Sequence, residues 1–260
     1  MSYLNLQKPV IMRSPILALA LCLIIGSSHA QSTPADIVPT NAGPLTIQPI
    51  MHASLVLKWE NRVIYADPSG GAAKFQGMPA PDMILITDIH GDHFDSATMA
   101  AVKTSNTVLV VPKVVADKLT GYDKSKVIVM KNGDEIKKAG ISIRAIPMYN
   151  LPESDKAMHT KGRGNGYVLG IGGKNIYLSG DTQGIPEMRA LKNIDIAFVC
   201  MNLPYTMDVK EAADAVLAFQ PKIVYPYHYR GQDVNEFKRL VDAGNKSIEV
   251  RLKEWYPAAK

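Results

Sequence analysis

Three short apolar runs in this chain end directly on aspartate or histidine, and this limits its possible folds more than any other feature. "MILIT" (83–87) runs into "DIHGDH", "IYLS" (176–179) into Gly180-Asp181, and "KIVYPY" (222–227) into His228. Runs of four to six apolar residues suit strands buried within a sheet. A polar side chain at the mouth of a buried strand needs a partner. A chain that repeats the arrangement three times is expected to bring those ends together.

The other periodic segments supply the sheets. "LTIQPI" (45–50), "SLVLKW" (54–59) and "RVIYA" (62–66) read as strands, with Glu60-Asn61 turning the second hairpin. "TVLVV" (107–111), "KVIVM" (126–130) and "ISIRAIP" (141–147) follow as strands, with helices expected over 94–104 and 112–120. "KNGDE" (131–135) reads as a turn. The second half repeats the order. "GYVLGI" and "KNIYLS" flank the Gly172-Gly173 turn, and "IDIAFV" (194–199), "KIVYPY" and "SIEVRL" (247–252) are strands. Helices are expected over "VKEAADAVLAF" and "DVNEFKRLVDA". Each half opens on antiparallel strands and continues by strand–helix alternation, so two βαβ-containing halves joined near 130–140 are expected. The class is α/β, with two sheets face to face and helices outside.

The first 44 residues stand apart. "MRSPILALALCLIIGSSHA" (12–30) has a basic start, an apolar stretch and a small-residue ending at Ser28-His29-Ala30, the pattern of a secretory leader. Its apolar run is short of the roughly 20 residues that a membrane span needs. Residues 1–30 are therefore expected to be a signal peptide, 31–44 ("QSTPADIVPTNAGP") a flexible lead-in, and 45–260 a single domain. That places the mature protein in the periplasm or outside the cell, with no stable membrane span after cleavage. Removing residues 1–30 takes Lys8 and Arg13 and leaves 27 basic against 24 acidic side chains. So mild a balance, without a basic run, argues against nucleic acid as a partner. Only Cys200 remains, in the apolar "IDIAFVC", where it reads as a small buried hydrophobe.

The chemistry concentrates in "DIHGDH", which places Asp88, His90, Asp92 and His93 within six residues around Gly91. A loop leaving a buried strand can turn alternate side chains inward and hand the next pair to a neighbouring point, which suits two metal ions a few Å apart. The plainer reading is a polar loop in which Asp92 or Asp95 caps the following helix. Asp181 could equally close an Asp-Thr turn, and a single His228 could be structural. Together they form a constellation.

The spacing of "TDIHGDH", "SGDT" and "PYHY" resembles the metallo-β-lactamase superfamily, whose usual first motif is His-x-His-x-Asp-His. "MHASLVLKWENRVIYADP" is similar to the start of a branch with ascorbate-6-phosphate lactonase-like and N-acyl-phosphatidylethanolamine phospholipase D-like enzymes. There a histidine precedes the first hairpin and Asp-Pro follows it, here His52 and Asp67-Pro68. The resemblance covers about residues 45–230 and implies a four-layer αββα sandwich. It implies that His90 helps hold a first metal, that Asp92, His93 and His228 hold a second, and that Asp181 bridges them. Water between the ions would lose a proton near neutral pH and attack a carbonyl or phosphorus, with Asp92 as the catalytic group orienting it.

Two positions depart from the pattern. Asp88 stands where the first histidine is usual; it can still ligate, although it is shorter and leaves site one weak or empty as an alternative. No histidine follows the strand at 141–147, so either His159 in "MHTKGRGNGYV" or Asn150 completes site one. His159 could also be an ordinary surface-loop residue. Two divalent ions are expected, zinc first, with manganese or iron as alternatives because Asp88 adds a hard oxygen donor. His52 is expected behind the ligands or in the pocket. Lys161, Arg163 and Arg230 could converge on an anionic small-molecule substrate, or could be solvated loop charges. Tyr205 and Tyr227 are candidates to line the pocket. The expected activity is hydrolysis of an ester, lactone, amide or phosphodiester by a metal-bound hydroxide. The alternative is a non-catalytic ligand-binding protein with a degenerate metal site.

Overall fold

The period-two alternation becomes two mixed sheets in a computed structural model that describes Met1 and residues 33–256. The leader expected over 1–30 lies, Met1 aside, outside the described residues. The first sheet contains β1 (Asp36–Thr40), β2 (Gly43–Met51), β3 (Ser54–Trp59), β4 (Arg62–Ala66), β5 (Met83–Leu85), β6 (Val108–Val111) and β7 (Val127–Val129), in that spatial order. Helices α1 (Ser96–Val102) and α2 (Lys113–Ala116) connect its later strands. The second sheet contains β8 (Glu135–Lys138), β9 (Ile141–Met148), β10 (Gly164–Ile171), β11 (Lys174–Leu178), β12 (Ile196–Cys200), β13 (Ile223–Tyr227) and β14 (Glu249–Val250), again in chain order. Its connections carry α3 (Pro186–Arg189), α4 (Val209–Phe219) and α5 (Val234–Gly244). In each sheet the first four strands pair antiparallel and the last three add parallel, so the halves share one plan.

Alternation decides which face each residue serves. Leu55, Leu57, Ile64, Ala66, Met83 and Leu85 join one buried cluster with Ile143, Tyr167, Leu169, Ile176 and Leu178 of the other sheet. Their sequence neighbours Val56, Val63, Tyr65, Ile84 and Ile86 point the other way, under Met99 of α1 and Val115 of α2. The result is the αββα sandwich expected above. Among the described residues no helix is long and apolar enough to cross a membrane.

Three local expectations need correction. The lead-in of 31–44 is not loose throughout: Asp36–Thr40 is β1, in antiparallel register with Thr40 opposite Gly43. Its Pro39 obscures the strand in sequence, yet proline is tolerated on an edge strand such as this one. The helix expected over 112–120 is one turn, Lys113–Ala116. The turn at 131–135 runs into an unexpected edge strand, β8, whose polar "EIKK" lacks an apolar alternation to advertise it.

Candidate metal centre

Strand ends from both sheets meet at one place. β5 stops at Leu85, Ile86 N still bonds Val110 O of β6 (3.0 Å), and the chain then leaves the sheet. The segment from Asp88 curls back on itself, with His93 N and Phe94 N both donating to His90 O at 3.0 and 2.8 Å. Asp95, not Asp92, caps α1, accepting from Ala97 N and Thr98 N at 3.0 Å each. This frees Asp92 from the capping role. From the second sheet, Asp181 follows β11, His159 sits on the β9–β10 loop and His228 follows β13. Gly180 permits the closest approach: its φ is +61°, and a Cβ there would lie 2.6 Å from Met148 Sδ and 3.1 Å from Thr87 Cβ.

The seven expected ligands converge as two groups. Donor atoms of Asp88, His90 and His159 lie within 4.8 Å of one another, as do those of Asp92, His93 and His228. Asp181 stands between the groups, its Oδ2 3.2 Å from His159 Nε2 and 3.3 Å from His93 Nε2, its Oδ1 3.5 Å from His228 Nε2. None of these contacts is aligned as a hydrogen bond: the Nε2 atoms of His93, His159 and His228 and Asp181 Oδ1 are buried without a partner. Buried polar atoms without partners are rare in folded proteins. Here several aim at one centre, as shared coordination of cations would require. The donor set of imidazole nitrogens and carboxylate oxygens suits zinc, manganese or iron.

The opposite nitrogens of these imidazoles are held from behind. Asp67, at the end of β4, accepts from Thr87 N (2.7 Å), Thr87 Oγ1 (2.6 Å) and His93 Nδ1 (2.8 Å). That arrangement leaves His93 Nε2 as the inward-facing atom. Asn150 Oδ1 accepts from His159 N at 2.8 Å and faces His159 Nδ1 at 3.2 Å. Of the two candidates for site one, His159 joins the group with Asp88 and His90, and Asn150 lies behind its ring. Tyr256 Oη lies 3.3 Å from His228 Nδ1 and 3.1 Å from His52 Nδ1. His52 therefore stands behind His228, the first of the two positions expected for it, behind the ligands or in the pocket.

Charge accumulates despite burial. Burial works against ionised Asp181, but the neighbouring His93 and His228 outweigh it and hold its carboxyl well below the ordinary value. Asp92 and Asp88 are also shifted down against burial, Asp88 by His90, His93 and Arg163. His93 shows the reverse: burial opposes its proton, yet Asp181 and Asp67 hold its pKa well above normal. Asp92 and Asp181, paired only with histidines among the described residues, draw cations into the pocket, whereas Asp88 is matched by Arg163.

Other candidates fall elsewhere. Lys161 pairs with Glu153 (3.0 Å) and Glu187 (3.1 Å), and Arg163 pairs with Asp88 through Nε (3.2 Å) and Nη2 (2.8 Å). Two of the three expected anion binders are thus engaged within the chain, whereas Arg230 lines the cleft. Tyr227 is buried and its hydroxyl accepts from Gly180 N (3.1 Å), so it supports the Asp181 turn and does not line the pocket. Tyr205 does line it. The cleft, of about 220 Å³, is bounded by His90, Asp92, Met158, His159, Asp181, Asn202, Tyr205 and Arg230. Asn202 was missed, although it follows β12 as Asp88 follows β5, and the strand-end rule could have found it. Tyr256 has no comparable signal: it lies beyond the last strand and reaches the site only through tertiary packing.

Known proteins share this fold. A family model described as the β-lactamase superfamily domain matches residues 46–228. A metal-dependent hydrolase of Pyrococcus abyssi is 30% identical over 216 residues, covering 78% of this chain and 93% of the relative. A crystal structure from Parabacteroides distasonis, described as a metal-dependent hydrolase, is similar with 41% identity and a TM-score of 0.79. The match covers 86% of this chain and 100% of that one. A metallo hydrolase of Ignicoccus hospitalis shares the fold at 22% identity and a TM-score of 0.68, over 83% of this chain and 96% of its own.

Proposed function

We propose that this chain, which belongs to the β-lactamase superfamily and is one of its metal-dependent hydrolases, cleaves an ester, lactone, amide or phosphodiester in the cleft between its two sheets. The observation that carries this reading is the set of partnerless Nε2 atoms of His93, His159 and His228 gathered around Asp181. Two divalent ions, zinc first among the candidates, would be held by Asp88, His90 and His159 and by Asp92, His93 and His228, with Asp181 shared. Such ions supply Lewis-acid polarisation of a substrate oxygen and acidify water.

The chain's own residues do the rest. Asp92 belongs to the second group yet its side chain is 36% exposed at the cleft, so it can orient an attacking water. Asp67 and Asn150 fix the His93 and His159 rings, which keeps the inward nitrogens aimed without reorganisation. Arg230, the cation lining the cleft, can anchor an anionic substituent of a small-molecule substrate. An empty, degenerate pocket accounts less well for ring orientations maintained by three separate supports. The leader-like segment 12–30 supports export to the periplasm or beyond, which N-terminal sequencing of the mature protein checks.

The test is hydrolysis of a panel of esters, lactones and phosphodiesters before and after chelation. The reading expects activity that is lost with chelator, restored by added metal, and absent in His93→Ala and Asp181→Ala proteins that keep their fold. Hydrolysis indifferent to chelation and to both substitutions would refute it.

A further inference from the structure

The first donor group already holds a cation. Asp88 is fully buried, and the fork of Arg163 takes both its oxygens, Nε to Oδ1 at 3.2 Å and Nη2 to Oδ2 at 2.8 Å. Bidentate guanidinium–carboxylate pairs are among the stronger charge-assisted contacts. Among the described residues, Asp92 and Asp181 form ion pairs only with histidines. The pairing of Asp88 is built into the backbone. Arg163 is the last residue before β10, and two residues on, Asn165 N donates to Thr87 O, the carbonyl immediately before Asp88, at 2.9 Å. A Cβ at the intervening Gly164 would lie 2.7 Å from the same oxygen. The start of β10 is therefore pressed against the strand end that carries Asp88, which sets the Arg163 backbone beside that carboxylate.

We propose that Arg163 is a resident cation of the first donor group and makes the two groups unequal, so that Asp92, His93 and His228 take their ion first and Asp88, His90 and His159 accept a second only at higher metal concentration. The inference rests on the metal-dependent reading of the site. An ion entering the first group meets a carboxylate whose charge is already neutralised, and a fixed positive charge beside it repels the newcomer. Among the described residues, no lysine or arginine pairs with the carboxylate of the second group. Arg163 thereby does what a first-site histidine could not: it lets an aspartate stand in that position without adding uncompensated negative charge to a buried pocket.

The experiment is calorimetric titration of the metal-free full chain with zinc chloride, with bound zinc counted by elemental analysis. Arg163→Gln keeps a hydrogen-bond donor towards Asp88 and removes the charge; Arg163→Lys keeps the charge. The parent is expected to bind in two steps at least about tenfold apart, and Arg163→Gln to tighten the second step by about 10–100-fold, the range outer groups exert on metal affinity. Arg163→Lys should preserve the gap. Two equal steps in the parent would overturn the proposal without any variant. So would a second step that weakens or stays unchanged in Arg163→Gln, the result expected if Arg163 only orients Asp88. Failure of the parent to bind zinc at all would defeat the metal-dependent reading itself, whereas the other adverse results leave that reading standing.

Discussion

Asp67 shows how much of this site depends on residues that would never touch substrate. Its carboxylate gathers Thr87 N, Thr87 Oγ1 and His93 Nδ1 at 2.6–2.8 Å, all buried. Asp67→Asn keeps the shape but loses the charge that fixes the His93 tautomer, and it should weaken metal binding about 10–100-fold. Metal titration beside an unchanged circular dichroism spectrum checks this. His93 also sets a pH dependence. Burial opposes its proton, but Asp181 and Asp67 raise its pKa well above the usual value, and a metal accepts only the deprotonated ring. Metal affinity should therefore rise as pH climbs through neutrality towards that raised pKa, with protons released on binding. Calorimetry in buffers of different ionisation enthalpy measures both. In metal-free protein the sign is opposite: His93 stabilises the fold below its unfolded pKa of about 6.5, and that contribution is lost as pH rises through the folded value. The residues that gather at the candidate site were legible in the sequence, because Asp88, His90, Asp92, Asp181 and His228 all follow buried strands. The sequence did not show Arg163 against Asp88, a contact 75 residues apart in the chain that depends on the register of β10.

At the scale of elements, strands were the most legible part. β3, β4 and α4 fall where alternation and helical periodicity placed them, because each has one face in a core. β1 and β8 were hidden because edge strands need little apolar patterning, and their residues are mostly exposed. The loops around the cleft carry a different signal. Among the described residues, Leu151 and Met158 on the β9–β10 loop and Leu203 and Tyr205 on the β12–α4 loop are exposed large apolar side chains, 39–51% accessible. Asn150 Nδ2 donates to Tyr205 O at 2.8 Å and ties the two loops together. Met158 and Tyr205 line the cleft itself, so substrates with an apolar group beside the scissile bond should be preferred. Met158→Ser should remove about 1.5 kcal/mol of apolar contact, roughly tenfold in KM for such a substrate. kcat should change little, and comparing short-chain with longer-chain esters separates the two constants.

On the scale of the whole molecule, each half supplies part of the candidate site. Asp88, His90, Asp92 and His93 leave the first sheet, while His159, Asp181 and His228 leave the second. The shared strand plan puts the ends of β5, β11 and β13 at one seam, so bound metal would act as a clamp across the sandwich and raise the unfolding temperature. The C-terminal segment closes the same seam. Trp255 is fully buried against Phe198 and Tyr227, and Tyr256 next to it supports His52 and His228. Trp255→Ala should cost about 3–5 kcal/mol, read by denaturant unfolding of the metal-free protein. The loss should also appear as weaker metal binding, since the His228 support moves with it. The measurement that bears most directly on the account is elemental analysis of protein purified without chelator, beside the His93→Ala variant. The account predicts at least about one transition-metal ion per parent chain and a clear loss in the variant; a parent that stays metal-free even after incubation with zinc, manganese and iron would contradict it.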